Sequence, residues 1–277
     1  MTDVYRRLRD TWPAAQRIAL IYRVELAKAI RLRQTYIGPL LLVGIVLLAP
    51  LAHPLSKDGA GDYGFIAYIT PLALNFLGYL MILAYVGGLI ATEFERGTLR
   101  AVLLRPVRRE EVYLAKLLLG LSYSALVTFS VAAASWSMVL AFGDLYGIEV
   151  GGVLLYTSDE MAWTYAAGAL LALAPQWAGV SLGLLYSTMT RSAVSAISLS
   201  IGTWIALDMV KYPLRIDGLI FTTYLEAPWD VFANRCDGLD APWLPLAFYA
   251  VLSSLAVAIP ATALGLALFH RRNLGTC

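Results

Sequence analysis

The chain has 277 residues, of which 59% are hydrophobic and 14% charged, and its mean hydropathy is +0.68. Soluble domains are about 45–50% apolar and about 25% charged, so a soluble single domain is excluded. The net charge of +2 does not point to nucleic acid, because membrane topology already accounts for where the basic residues fall.

Residues 1–33 form a basic segment, and within it residues 14–33 contain neither Pro nor Gly and predict a helix. At 100° per residue Arg17, Lys28 and Arg31 share one face, whereas Arg23, Glu25 and Arg33 fall elsewhere. Long side chains can snorkel, so this helix is expected to lie along the membrane surface. The first apolar run starts some 35 residues in, after the basic stretch, which is not the pattern of a secretory signal peptide.

Six charge-free windows follow, at residues 34–56, 63–92, 117–143, 161–190, 192–207 and 241–270. A helix needs about 20 apolar residues to cross a hydrocarbon core of about 30 Å, and five windows meet that length outright. The fifth reaches it only by extending past Asp208 to Met209. An all-α membrane protein with six spans is the expectation, as one domain over residues 1–277.

With a cytoplasmic N-terminus, 17 of the 21 Lys and Arg residues lie inside, leaving Lys57, Lys211, Arg215 and Arg235 outside. That bias predicts cytoplasmic termini in the plasma (inner) membrane. It also places Cys236 and Cys277 on opposite sides of the bilayer, as it does His53 and His270, so neither a disulfide within the chain nor a metal site is expected. Outside, the long 212–240 connection mixes Pro213, Pro228, Trp229 and Gly218 with the apolar Leu219, Ile220 and Phe221, and reads either as short interfacial helices or as a plain cap.

The inside connection at residues 92–116 carries ten of the 40 charged residues and reads ATEFERGTLRAVLLRPVRREEVYLAK from Ala91. Glu93 and Glu95 end the second span, Gly97 allows a turn, and Thr98 can cap a short helix through Leu104. Pro106 stops that helix, and Glu110 and Glu111 occupy the first turn of the third span, at the favourable end of its dipole. This is the element through which any cytoplasmic partner is expected to act.

The segment resembles the ABC-2 family of ABC-transporter permeases through Glu93, Gly97, Thr98, Leu103, Leu104, Pro106, Arg109 and Lys116. The N-terminal helix, the six spans and the cytoplasmic termini extend the resemblance along the chain. It implies an interfacial elbow helix and a coupling helix between the second and third spans, with Glu95 and Arg100 joining the residues above. It also implies a membrane-spanning export subunit, acting as a homodimer with a separate subunit that binds ATP and Mg, while this chain binds no cofactor. No GxxxxGK[ST] occurs in these residues, and no catalytic role is expected.

Polar residues within the spans complete the reading. Asn75, Ser195, Ser198 and Thr203 are candidates for a translocation path, although hydrogen bonding between helices also suits the serines at 192, 195, 198 and 200 and Thr203. Gly179-Val180-Ser181-Leu182-Gly183 matches GxSxG but lies mid-span without a histidine at its depth, so Gly179 and Gly183 read as a packing face. Asp208 could serve an ion- or proton-coupled transporter working without an ATPase, the alternative function, but Lys211 at i+3 makes it a local pair.

Overall fold

A computed structural model describes residues 13–52, 54–55, 62–98, 107–240 and 242–271. The segment before the first span is a helix, α1 (Ala14–Arg31). Its buried residues, Ile21, Glu25 and Ala29, repeat every four positions and form one stripe, which packs on the third span. Leu20, Val24 and Ile30 are exposed on the same helix, and the carboxylate within the buried stripe is why its amphipathicity looked imperfect in sequence.

All six expected spans are present: α2 (Gln34–Leu48), α3 (Tyr63–Glu95), α4 (Arg109–Phe142), α5 (Ser158–Met189), α6 (Ala193–Lys211) and α8 (Trp243–Arg271). The even number of crossings brings α1, the α3–α4 link, the α5–α6 turn and the end of α8 to one face of the bundle, here the terminal face. At 33 and 34 residues, α3 and α4 are each about 50 Å long and overreach a core of about 30 Å. Between Leu72 and Gly78, α3 relaxes to π-helical pitch just after Pro71, whose ring removes a backbone donor.

Capping sets where the long helices start. Thr157 and Glu160 form a reciprocal capping box at the head of α5, with Glu160 Oε2 2.8 Å from the Thr157 N–H. α5 is the central span: 72% of its apolar window is buried, against 17% for α6 and 22% for α8, so the latter two present most of their surface outward. The core runs through Leu42, Ile66, Ile82, Val86, Val127, Val180 and Leu184, all fully buried.

On the opposite, distal face Asp62 clips α3 to α4, its backbone N–H reaching the Asp144 carbonyl at 2.9 Å and its carboxylate accepting the Asp144 N–H at 3.1 Å. The 212–240 connection holds two 3₁₀ turns, Asp217–Leu219 and Phe221–Leu225, and a helix, α7 (Ala227–Cys236). Phe221, Tyr224, Leu225, Trp229 and Phe232 are buried, and Phe232 lies 5.1 Å ring to ring from Tyr165 of α5. The short helices expected in this connection are present, and Phe221–Leu225 and α7 pack on α5. The all-α expectation misses one element, an antiparallel hairpin of β1 (Ile148–Val150) and β2 (Val153–Tyr156). Gly151 and Gly152, with φ of 62° and 83°, make its two-residue turn of primed type.

Candidate functional site

The α3–α4 link leaves the bundle at Gly97, whose φ of +69° is the left-handed conformation that glycine adopts without a Cβ clash. Thr98 donates its hydroxyl back to the Glu93 carbonyl at 3.2 Å, satisfying one of the acceptors a helix end leaves open. α4 resumes behind a capping box in which the Arg108 N–H donates to Glu111 Oε2 at 3.0 Å. The coupling helix expected from sequence, with Arg100, Leu103, Leu104 and Pro106, lies outside the described residues.

Two turns into α4, Lys116 is 1% exposed. Its ammonium lies 3.2 Å from Glu25 Oε2 of α1 and 2.9 Å from Glu93 Oε2 of α3, and donates to the Leu89 carbonyl at 3.2 Å. The Glu93 contact is ionic rather than a directed hydrogen bond. Lys28 completes the cluster, bonded to Glu25 and 3.7 Å from Glu93 Oε1. Two ammoniums and two carboxylates balance, and they join three helices at one point.

Burial pushes the Glu25 carboxyl up, but the Lys116 charge and the Lys28 bond more than offset it, holding the group below its ordinary value. Breaking such a buried pair costs about 3–5 kcal/mol, whereas replacing it whole by apolar residues is often neutral, so the cluster is better explained by geometry than by stability. Nearby, Arg17 Nε meets Glu111 Oε1 at 2.7 Å and Tyr22 meets Ser122 at 2.7 Å, both fastening α1 to α4.

The same end of α3 is tied to two further spans. Ser187 of α5 accepts from the Ile90 and Ala91 N–H groups at 3.0 and 2.9 Å. Glu95 accepts from the Ala193 N–H at 3.2 Å, supplying a cap for α6 that Ser192 does not provide. A Cβ at Gly87 would stand 3.1 Å from Ile197 Cα, so the α3 and α6 backbones touch there. Arg109 donates to the His270 carbonyl at 2.9 Å, reaching α8. The α3 end of the link is therefore bonded to α1, α4, α5 and α6.

The candidate path residues do not converge within one chain. Ser195 and Ser198 are exposed on α6, Thr203 bonds to the Tyr186 hydroxyl at 3.0 Å, and Asn75 is half-buried in the π-helical stretch of α3. Ser181 of the GxSxG match donates to the Trp177 carbonyl of its own helix at 3.0 Å. Gly179 packs under the Tyr79 ring, where a Cβ would overlap the hydroxyl. Asp208 pairs with Lys211 at 2.6 Å, as i+3 spacing implies. No group of three or more His, Cys, Asp or Glu fit to hold a metal occurs among the described residues.

Sequence reading placed Glu93 and Lys116 in the site but missed Glu25, Lys28 and Ser187. One signal was available: Glu25 is the only acidic residue between Asp10 and Asp58, with Lys28 at i+3.

The chain is 27% identical over 146 residues to the uncharacterized membrane protein YdbK of Bacillus subtilis (strain 168), an alignment that covers 50% of this chain and 54% of that protein. This chain thus spans about half the length of that relative. A family model for ABC-2 family transporter proteins matches residues 19–228, a stretch that begins in α1, takes in Glu25, Glu93 and Lys116, and ends at the head of α7. The chain, a multi-pass membrane protein, belongs to the ABC-2 family of transporter proteins.

Proposed function

We propose that this chain is the permease subunit of an ATP-driven exporter, with both termini cytoplasmic in the plasma (inner) membrane and a separate ABC subunit supplying ATP and Mg. The observation that carries the reading is the Glu25–Lys116–Glu93–Lys28 cluster, placed where the α3–α4 link meets the bundle. The absence of a GxxxxGK[ST] loop from these residues supports assigning ATP hydrolysis to a partner. Closure of that partner on ATP pulls the link, with Glu93, Glu95, Gly97, Thr98, Arg100, Leu103, Leu104, Pro106, Arg109 and Lys116 as the coupling set. The ionic joint then turns α1, α3 and α4 together, while Glu95 carries the motion to α6.

Two copies complete the transport path in this reading. α6 is only 17% buried over its apolar window, and its exposed Ser195 and Ser198 face away from the single-chain bundle. Set against a second copy, these serines with Asn75 line the passage, and Thr203 steadies it through Tyr186. The chain itself makes and breaks no covalent bond.

The test is export and partner ATPase in the reconstituted complex. Glu93→Ala removes one partner of Lys116 and is expected to uncouple hydrolysis from export while the protein stays folded. Gly97→Val forces a branched side chain into positive φ, at about 1–2 kcal/mol, and is expected to act likewise. Gly97→Asn, which tolerates that conformation, should keep coupling, since no atom of the described residues lies within 4 Å of a Cβ there. Wild-type coupling in both Glu93→Ala and Gly97→Val would mean that the link is a passive loop.

A further inference from the structure

Ser187 is bonded unlike most serines of the spans. Ser130, Ser137, Ser181, Ser200 and Ser254 each donate to the carbonyl four residues back in their own helix, which satisfies the hydroxyl and ties no second helix. Ser187, fully buried near the end of α5, instead accepts from two consecutive backbone donors of another span, the Ile90 and Ala91 N–H groups of α3, at 3.0 and 2.9 Å.

Two such bonds to one oxygen fix more than one would. Consecutive N–H groups are about 1.5 Å apart along a helix axis and about 100° apart around it, so one acceptor serves both from a single position. The pair therefore sets both the slide and the rotation of α3 at this level. Neither donor needs Ser187 for its own satisfaction, since the Val86 and Gly87 carbonyls stand four residues back in the same helix; what the serine adds is a tie between helices. Just before it, Gly87 and Gly88 carry no side chain to key the helix, and a Cβ at Gly87 would stand 3.1 Å from Ile197 Cα of α6. Consecutive glycines are also where a helix bends most readily.

The ionic joint lies directly after this point. Lys116 donates to the Leu89 carbonyl at 3.2 Å and lies 2.9 Å from Glu93 Oε2, and Glu95 accepts from the Ala193 N–H at 3.2 Å. A slide of α3 by one residue, about 1.5 Å, or a rotation of about 100° would take these groups out of register. We propose that Ser187 is a positioning residue: by fixing the slide and rotation of α3 ahead of its last turn, it places Glu93 against Lys116 and Glu95 against the start of α6. Its effect on export rests on the coupling reading. Its effect on the joint does not, because every bond involved lies within this chain.

The test is a double-mutant cycle on the full chain in detergent. Glu93→Gln and Lys116→Met are made singly and together, and unfolding equilibria are measured first with Ser187 and then with Ser187→Ala. With Ser187 the two changes should be coupled by about tenfold, within the range for residues in contact. In the Ser187→Ala background the coupling should fall several-fold, and Ser187→Thr, which keeps the hydroxyl, should recover it. If the added methyl group keeps Ser187→Thr from folding, Ser187→Cys, a weaker acceptor, should give a coupling between those of serine and alanine. A serine that only adds stability would lower all four proteins of the cycle alike, so undiminished coupling in Ser187→Ala would overturn the proposal. Coupling that falls in Ser187→Ala and returns with neither the hydroxyl nor the thiol would also overturn it, because the loss would then come from repacking around position 187. No ATPase takes part in this measurement, so its outcome is separate from that of the export assay.

Discussion

Lys116 illustrates how a single residue couples helices that are distant in sequence. Its ammonium cannot stay buried uncompensated, so Glu25, 91 positions away, and Glu93 are drawn to the same point. Since Glu25 is held below its ordinary value of 4.5, its contribution is fully present above that pH and is lost as pH falls through the lower folded value. Glu25→Gln removes one charge of this buried cluster and is expected to cost about 3–5 kcal/mol at pH 7. Thermal unfolding in detergent should show the gap between variant and wild type closing below pH 4.5; an equal gap at all pH values would contradict the assignment. A second residue-scale device is the seating of tyrosines on glycines: Tyr79 on Gly179, Tyr113 on Gly265 and Tyr123 on Gly38. Gly179→Ala should destabilise by about 1–3 kcal/mol through overpacking. Adding Tyr79→Phe, which removes a buried hydroxyl with no hydrogen-bond partner among the described residues, should restore most of it. Simple additivity of the two changes would mean that the glycine acts some other way.

At the scale of elements, the spans were legible because each charge-free window is long enough to cross a bilayer, and the expected windows map onto α2 to α6 and α8. Their ends were less so. The charge-free window stops at residue 92, and only the charge pattern beyond it put Glu93 and Glu95 at the end of α3; the contacts of their carboxylates with Lys116 and the α6 amide are tertiary, and no window contains them. The hairpin was missed although Gly151-Gly152 between two apolar runs is a turn signal, because strands of three and four residues are short against 30-residue helices. The α1 stripe was hidden by its own carboxylate. A lone acid amid basic residues was the visible half of the site, and its partner lay two spans away. On the distal face, burial pushes the Cys236 thiol up to about 12, so α7 keeps it unreactive while native.

For the whole molecule, both α1 and the end of α8 lie on the face that carries the link, and the 17 to 4 split of basic residues predicts that this face is cytoplasmic. With the native cysteines replaced, Asp237→Cys should react with an impermeant thiol reagent in intact cells. Arg191→Cys, exposed on the α5–α6 turn, should react only after permeabilisation. The reverse pattern would invert the molecule.

Coupling to a separate ATPase is the central claim, and the measurement closest to it is ATP hydrolysis by the tagged chain purified from its native membrane, before and after stripping of associated proteins. The account predicts hydrolysis only in the unstripped material, alongside a second polypeptide carrying GxxxxGK[ST], and none in the pure chain. ATP turnover by the pure chain, or export driven by an ion gradient with no such polypeptide present, would contradict it.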